Sequence, residues 1–136
     1  MLAPRAKKMP PPTVPPPLHE LEAEVMEELW NSGEAPVRTL MDALNRVTSK
    51  RRAYTTYMTI MARLHTKGLL VRRREGKTDF YTPSHTREEY MALRARAQVQ
   101  ELVETYGDMA LSHFAEQMAG LDPARRRALQ RLARKS

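Results

Sequence analysis

The sequence predicts a mainly α-helical chain with one small β-hairpin, on three observations. Apolar residues recur at helical spacing through most of the chain from Leu18 onward. The period becomes strand-like only after Gly68, and seven of the ten prolines crowd into residues 1–17. At 136 residues there is room for one modest core with an appendage, which argues against a large enzyme.

The opening segment, MLAPRAKKMPPPTVPPP, is too rich in proline for helix or sheet pairing and reads as a disordered basic tail over residues 1–17. In LHELEAEVMEELWN, the residues Leu18, Leu21, Val25 and Leu29, joined by Met26 and Trp30, form an apolar stripe among glutamates, a first amphipathic helix. SGEAP ends it, with Gly33 suited to a C-terminal cap and Pro36 to the first turn of the next helix. VRTLMDALNRV repeats the pattern with Val37, Leu40, Met41, Leu44 and Val47 as a short second helix. After the polar link TSKRR, the stretch RRAYTTYMTIMARLHTKGLL, Arg51 to Leu70, contains a third helix closed by Gly68. LLVRRREGKTDFYTP then reads as strands Leu69 to Arg74 and Thr78 to Thr82 around a tight turn at Glu75, Gly76 and Lys77, with Pro83 as the stop. Three helices followed by a basic hairpin is the order of a winged helix-turn-helix domain, here residues 18–83.

Residues 84–136 are helical without strand signals. A long helix from about Arg87 to Tyr106 is broken at Gly107 and Asp108, MALSHFAEQMAG forms another, and Asp122 with Pro123 starts the last. Short amphipathic helices of this kind cannot bury all their apolar edges on themselves. A symmetric partner solves that, so this part is expected to be a helical dimerisation domain.

The formal charge is +7, and it is unevenly spread. From Leu18 to Ser49 two basic residues face seven acids, −5; from Lys50 to Lys77 nine basic residues face one acid, +8. A basic end of this strength favours a polyanion, nucleic acid before membrane. The absence of cysteine excludes disulfides and thiolate metal sites, and the four histidines lack HxxxH or HExxH spacing, so neither metal nor cofactor is expected. No paired carboxylates, nucleophile-base set or glycine-rich phosphate loop points to an enzyme. No apolar run reaches membrane-spanning length and the N-terminus has no apolar leader, so a cytoplasmic protein is expected.

The third helix explains the charge. Tyr57, Ile60, Met61 and Leu64 share an apolar face, and Arg52, Thr55, Thr56, Thr59 and Arg63 share the opposite one. Threonine is a middling helix former, so its concentration on one side asks for a reason. A short side chain with a hydroxyl and a methyl suits close approach to base edges, and arginine suits phosphate or guanine. A recognition helix in the major groove needs such a set, with Thr55, Thr56, Thr59 and Arg63 as candidate base contacts. Arg51, Arg52, Tyr54, Lys67, Arg72, Arg74 and Lys77 are the candidate contacts to the DNA backbone. Charge alone fits a sequence-independent architectural DNA binder as well, and the proline tail with exposed C-terminal helices fits a protein-interaction module.

HELEAEVMEELW, VRTLMDAL, YTTYMTIMARLHTKGLL and REGKTDFYTP, in that order, resemble the penicillinase repressor family of the BlaI and MecI type, closely over Leu18 to Pro83 and loosely beyond. The resemblance implies a homodimeric winged-helix repressor on a palindromic operator. It places Thr55, Thr56 and Thr59 at base-contacting positions of the recognition helix and Arg63 at the motif's arginine, with Thr55 where staphylococcal-type members often carry lysine. In many members a membrane-bound sensor metalloprotease signals cleavage of an Asn-Phe bond; MALSHFAEQM aligns there and offers His113-Phe114 instead. A related branch senses copper through a C-terminal cysteine cluster, which a chain without cysteine cannot do.

Overall fold

The structure, a computed structural model, describes residues 14–135, so most of the proline-rich tail assigned to residues 1–17 lies outside the described residues. The elements run α1 Glu20–Ser32, α2 Val37–Val47, α3 Tyr54–Thr66, β1 Leu70–Glu75, β2 Thr78–Pro83, α4 Arg87–Tyr106, α5 Asp108–Ala119 and α6 Pro123–Lys135. Two compact units divide the chain, one ending at Ala95 and the other beginning at Arg96.

In the first unit α1, α2 and α3 enclose the core through Val25, Met26, Leu29, Leu40, Tyr57, Met61 and Leu64. The His19 N–H donates to Glu22 Oε1 at 3.0 Å, satisfying a donor that the start of α1 would otherwise leave open. At its other end the Gly33 N–H reaches the Leu29 carbonyl at 2.7 Å with φ +94°, a conformation glycine adopts without a Cβ clash.

Pro36, expected inside the first turn of α2, is instead its N-cap, with extended φ −82° and ψ 167°. The reason lies one residue earlier. Ala35 donates to the Tyr81 carbonyl at 3.1 Å and accepts from the Tyr81 N–H at 3.0 Å, so this link is held as a one-residue strand against β2.

The third helix begins at Tyr54, just beyond the TSKRR link. Asn45, near the end of α2, grips the Arg52 backbone from both sides: its Oδ1 accepts the Arg52 N–H at 3.1 Å and its Nδ2 donates to the Arg52 carbonyl at 3.0 Å. Those groups cannot then enter a helix, and α3 starts after Ala53.

The hairpin pairs antiparallel from Leu70↔Pro83 to Glu75↔Thr78. Leu69, expected in β1, uses its N–H to close α3 on the Leu64 carbonyl at 2.9 Å, which moves the strand start by one residue. Gly76 takes φ +66° at the first loop position while Lys77 keeps a negative φ, the pattern of a two-residue type II′ turn. Strand alternation puts Leu70, Arg72 and Arg74 on one side and Val71, Arg73 and Glu75 on the other.

A reciprocal capping box starts α4: the Thr86 N–H donates to Glu89 at 2.9 Å and the Glu89 N–H to the Thr86 hydroxyl at 3.0 Å. Tyr90 on its first turns is buried, and its hydroxyl donates to the Pro16 carbonyl at 2.9 Å. Arg94 donates to the Pro15 carbonyl at 3.2 Å. Residues 15 and 16 are thus tied down within the first unit.

In the second unit Gly107, at φ +60°, separates α4 from α5, and Asp122 Oδ1 accepts the Arg125 N–H at 2.9 Å at the start of α6. Neither α5 nor α6 has a buried residue. Leu102, Tyr106, Met109 and Phe114 remain 37–64% exposed and line an apolar groove of about 330 Å³ with Ala110 and His113.

Replacing Asn45 with Ala is expected to destabilise the first unit by roughly 1–3 kcal/mol, because the Arg52 backbone and the Tyr57 hydroxyl lose their partner. Urea unfolding would show a lower midpoint with an unchanged slope. An unaltered midpoint would mean that water replaces the amide without cost.

Candidate nucleic-acid interface

Helix α3 is divided cleanly. Tyr57, Ile60, Met61 and Leu64 are buried, none more than 8% exposed. Thr55, Thr56, Thr59 and Arg63 are all exposed on the other side. Thr55, Thr59 and Arg63 follow one another at i, i+4 spacing and so form a continuous row along the helix.

Of the expected backbone contacts, some cations are open and others are committed. Arg51, Arg72 and Lys77 are exposed and make no ion pair among the described residues. Arg74 is 65% exposed, lies 3.7 Å from Asp79 and is aligned by a 3.4 Å bond from its Nε to the Gly76 carbonyl. An exposed pair of this kind is weak and exchanges readily for a phosphate.

Arg52 is half-buried, with Nη1 3.5 Å from Glu24 of α1, and so works inward as well. The Lys67 ammonium sits 2.8 Å from Glu22 Oε2, whose side chain is only 1% exposed. Burial alone would raise the Glu22 pKa, but the His19 N–H and the Lys67 ammonium outweigh it and hold the carboxyl below its ordinary value. Lys67 is therefore first the counter-ion of a buried carboxylate on α1, fastening the C-terminal end of α3.

Arg73 turns to the opposite side of the strand from Arg72 and Arg74. Its Nη2 and Nε donate to Glu34 at 2.9 and 3.2 Å, and Nη1 donates to Glu75 at 3.1 Å. The Glu34 hydrogen bonds raise the arginine's pKa and lower the carboxylate's. Thr82 donates to the same carboxylate at 3.2 Å, so Glu34 clips both strands of the hairpin to the α1–α2 link.

Other residues of this surface were not singled out by sequence pattern. Arg38 of α2 lies over the Tyr54 ring, 5.3 Å from its centroid, which fixes the ring at the start of α3. Tyr54 itself is 39% exposed. Between α2 and the start of α3 runs an open groove of about 650 Å³ lined by Asp42, Arg46, Arg51 and Arg52 among others. Burial first, and then the Arg72 charge, hold the His65 pKa below its ordinary value.

A helix with one bare, acid-free face, a groove at its start and an arginine-rich hairpin beside it matches DNA by shape and charge. The penicillinase repressor family model matches residues 18–135. The chain belongs to the penicillinase repressor family. The transcriptional regulator BlaI of Mycobacterium tuberculosis, in strains CDC 1551 / Oshkosh and ATCC 25618 / H37Rv, is 40% identical to it over 121 residues, spanning 85% of this chain and 84% of the relative. A solution structure of the DNA binding domain of the repressor BlaI is 26% identical with a TM-score of 0.49, covering 57% of this chain and 90% of that one. The Bacillus licheniformis BlaI monomer, solved with the blaP half-operator, is 26% identical with a TM-score of 0.47, over 56% and 90%. Like its family, this chain is a DNA-binding transcriptional repressor and not an enzyme.

His113 and Phe114 lie in the middle of α5, in the second unit, with His113 Nδ1 3.1 Å from Glu116. Among the described residues no helix is long and apolar enough to cross a membrane, and no group of three histidines or carboxylates is placed to hold a metal.

The Glu22–Lys67 pair carries a pH prediction. A carboxylate whose pKa falls on folding contributes stability above its unfolded value, ordinarily about 4.5, and that contribution is lost as pH drops below it. Glu22→Gln should therefore cost roughly 1–3 kcal/mol at pH 7 and flatten the acid limb of the stability profile. A variant with the parent's acid limb would show that Glu22 titrates alike in both states.

Proposed function

We propose that this repressor acts as a homodimer on a palindromic operator, with α3 of each copy in the major groove and the hairpin against adjacent phosphates. The bare face of α3 carries this reading, since it offers hydroxyls and one guanidinium in a row and no acid. Thr55, Thr56, Thr59 and Arg63 read bases; Arg51, Arg72, Arg74 and Lys77 neutralise phosphates, and Tyr54, Arg52 and Lys67 bound the same surface.

The second copy covers the apolar groove between α4 and α5, where Leu102, Tyr106, Met109 and Phe114 meet water in a single chain. A two-fold contact there imposes a two-fold operator. Cleavage of His113–Phe114, under the control of a membrane-bound sensor metalloprotease, would cut α5 through this groove and so dissociate the pair. The bond lies within a helix, so cleavage requires α5 to open first.

Selection from a random duplex pool should enrich an inverted repeat; no enrichment would favour a sequence-independent architectural binder. On the enriched duplex Thr59→Ala is expected to lose about 1–3 kcal/mol of discrimination at one base pair, whereas Lys77→Ala weakens all duplexes alike and lowers the salt slope by about one. Uniform weakening by both would refute readout through α3. Separately, Met109→Glu should move the sedimentation coefficient toward the monomer at micromolar concentration. A dimer indifferent to that change has its interface elsewhere.

A further inference from the structure

Beside the row Thr55, Thr59, Arg63 runs a second row one residue earlier: Tyr54, Met58 and Ala62, again at i, i+4 spacing. All three are exposed, Met58 at 44%, and none is needed by the core of the first unit. A solvated helix face normally carries Glu, Lys or Gln at such places, which are good helix formers at no hydrophobic cost. Here two adjacent positions in the middle of the outward face are apolar. The Arg38 guanidinium over its ring holds Tyr54 at the edge of the surface, which leaves Met58 and Ala62 as the part of the row able to enter a groove.

In the major groove the one apolar feature of a base edge is the C5-methyl of thymine. From Met58 to Ala62 the helix rises about 6 Å, roughly the length of two base-pair steps. Met58 is long, unbranched and polarizable, and adapts to the position of a methyl group. Ala62 adds a single methyl and allows close approach of the helix.

We propose that Met58 and Ala62 form a thymine-methyl reader, the apolar half of a two-row recognition surface whose polar half is Thr55, Thr59 and Arg63. This rests on the reading of α3 as the recognition helix. It adds a substrate class to it, half-sites bearing a thymine at the position under Met58. Neither residue makes a polar contact, so their contribution is to choose the base and not to anchor the protein.

The experiment uses the full chain and the duplex enriched from a random pool, with each thymine of one half-site replaced in turn by deoxyuridine, which removes only the methyl. One replacement should weaken binding about fourfold, the factor for one buried methyl-sized group. In Met58→Ala that same replacement should have no effect, and Met58→Leu should restore it. A duplex whose half-sites contain no thymine, deoxyuridine replacements that are all neutral, or a penalty equal in parent and Met58→Ala would overturn the proposal while leaving Thr59 readout intact. Failure to enrich any sequence would instead overturn the underlying reading, and this one with it.

Discussion

Tyr57 sets the terms for the first unit. Its ring is fully buried, and a phenol cannot be taken into an apolar core unless its hydroxyl finds a partner. That partner is Asn45 Oδ1, at 3.1 Å, on the helix before. Because the same amide also holds both backbone groups of Arg52, one side chain settles where α3 starts and how it is seated on α2. The outward rows of α3 inherit their direction from this arrangement, since the faces of a helix turn together.

The acids of α1 and the α1–α2 link do a related job at a distance. Glu22 fastens the end of α3 through Lys67, Glu24 meets Arg52 at its start, and Glu34 clips the hairpin through Arg73 and Thr82. The acidic half of the unit thus orients the basic half instead of merely balancing it. Exposed pairs contribute little to stability individually, but the buried Glu22 must keep its cation, because an unpaired carboxylate there would be costly. The net effect is a sorting of cations: Arg52, Lys67 and Arg73 hold the scaffold, while Arg51, Arg63, Arg72 and Lys77 stay available.

Much of this was legible in the residues themselves. The apolar stripe in LHELEAEVMEELWN, the opposed faces of YTTYMTIMARLHT and the EGK turn each report local geometry, since side chains repeat every 3.6 residues on a helix and every two on a strand. The boundaries that shifted did so for non-local reasons. Leu69 was drawn into the end of α3, Pro36 was held outside α2 by the Ala35–Tyr81 bridge, and the Arg52 backbone was kept from α3 by Asn45. The T-x-x-E box at Thr86 was present in the sequence as a cap signal, whereas Tyr90 and Arg94 reaching the carbonyls of Pro16 and Pro15 had none.

By itself the sequence determined the order of helices and hairpin, the dry and wet faces of α3 and the sign of the charge beside it, because each depends on spacing within one element or on a count. Only the tertiary structure decided which cations are free, since that turns on partners such as Glu24 and Glu22, which lie 28 and 45 residues from Arg52 and Lys67. It also decided that Met58 and Ala62 share the exposed face of α3 with the threonines. Apolar residues on a helix read as core until packing shows which of them the core leaves out.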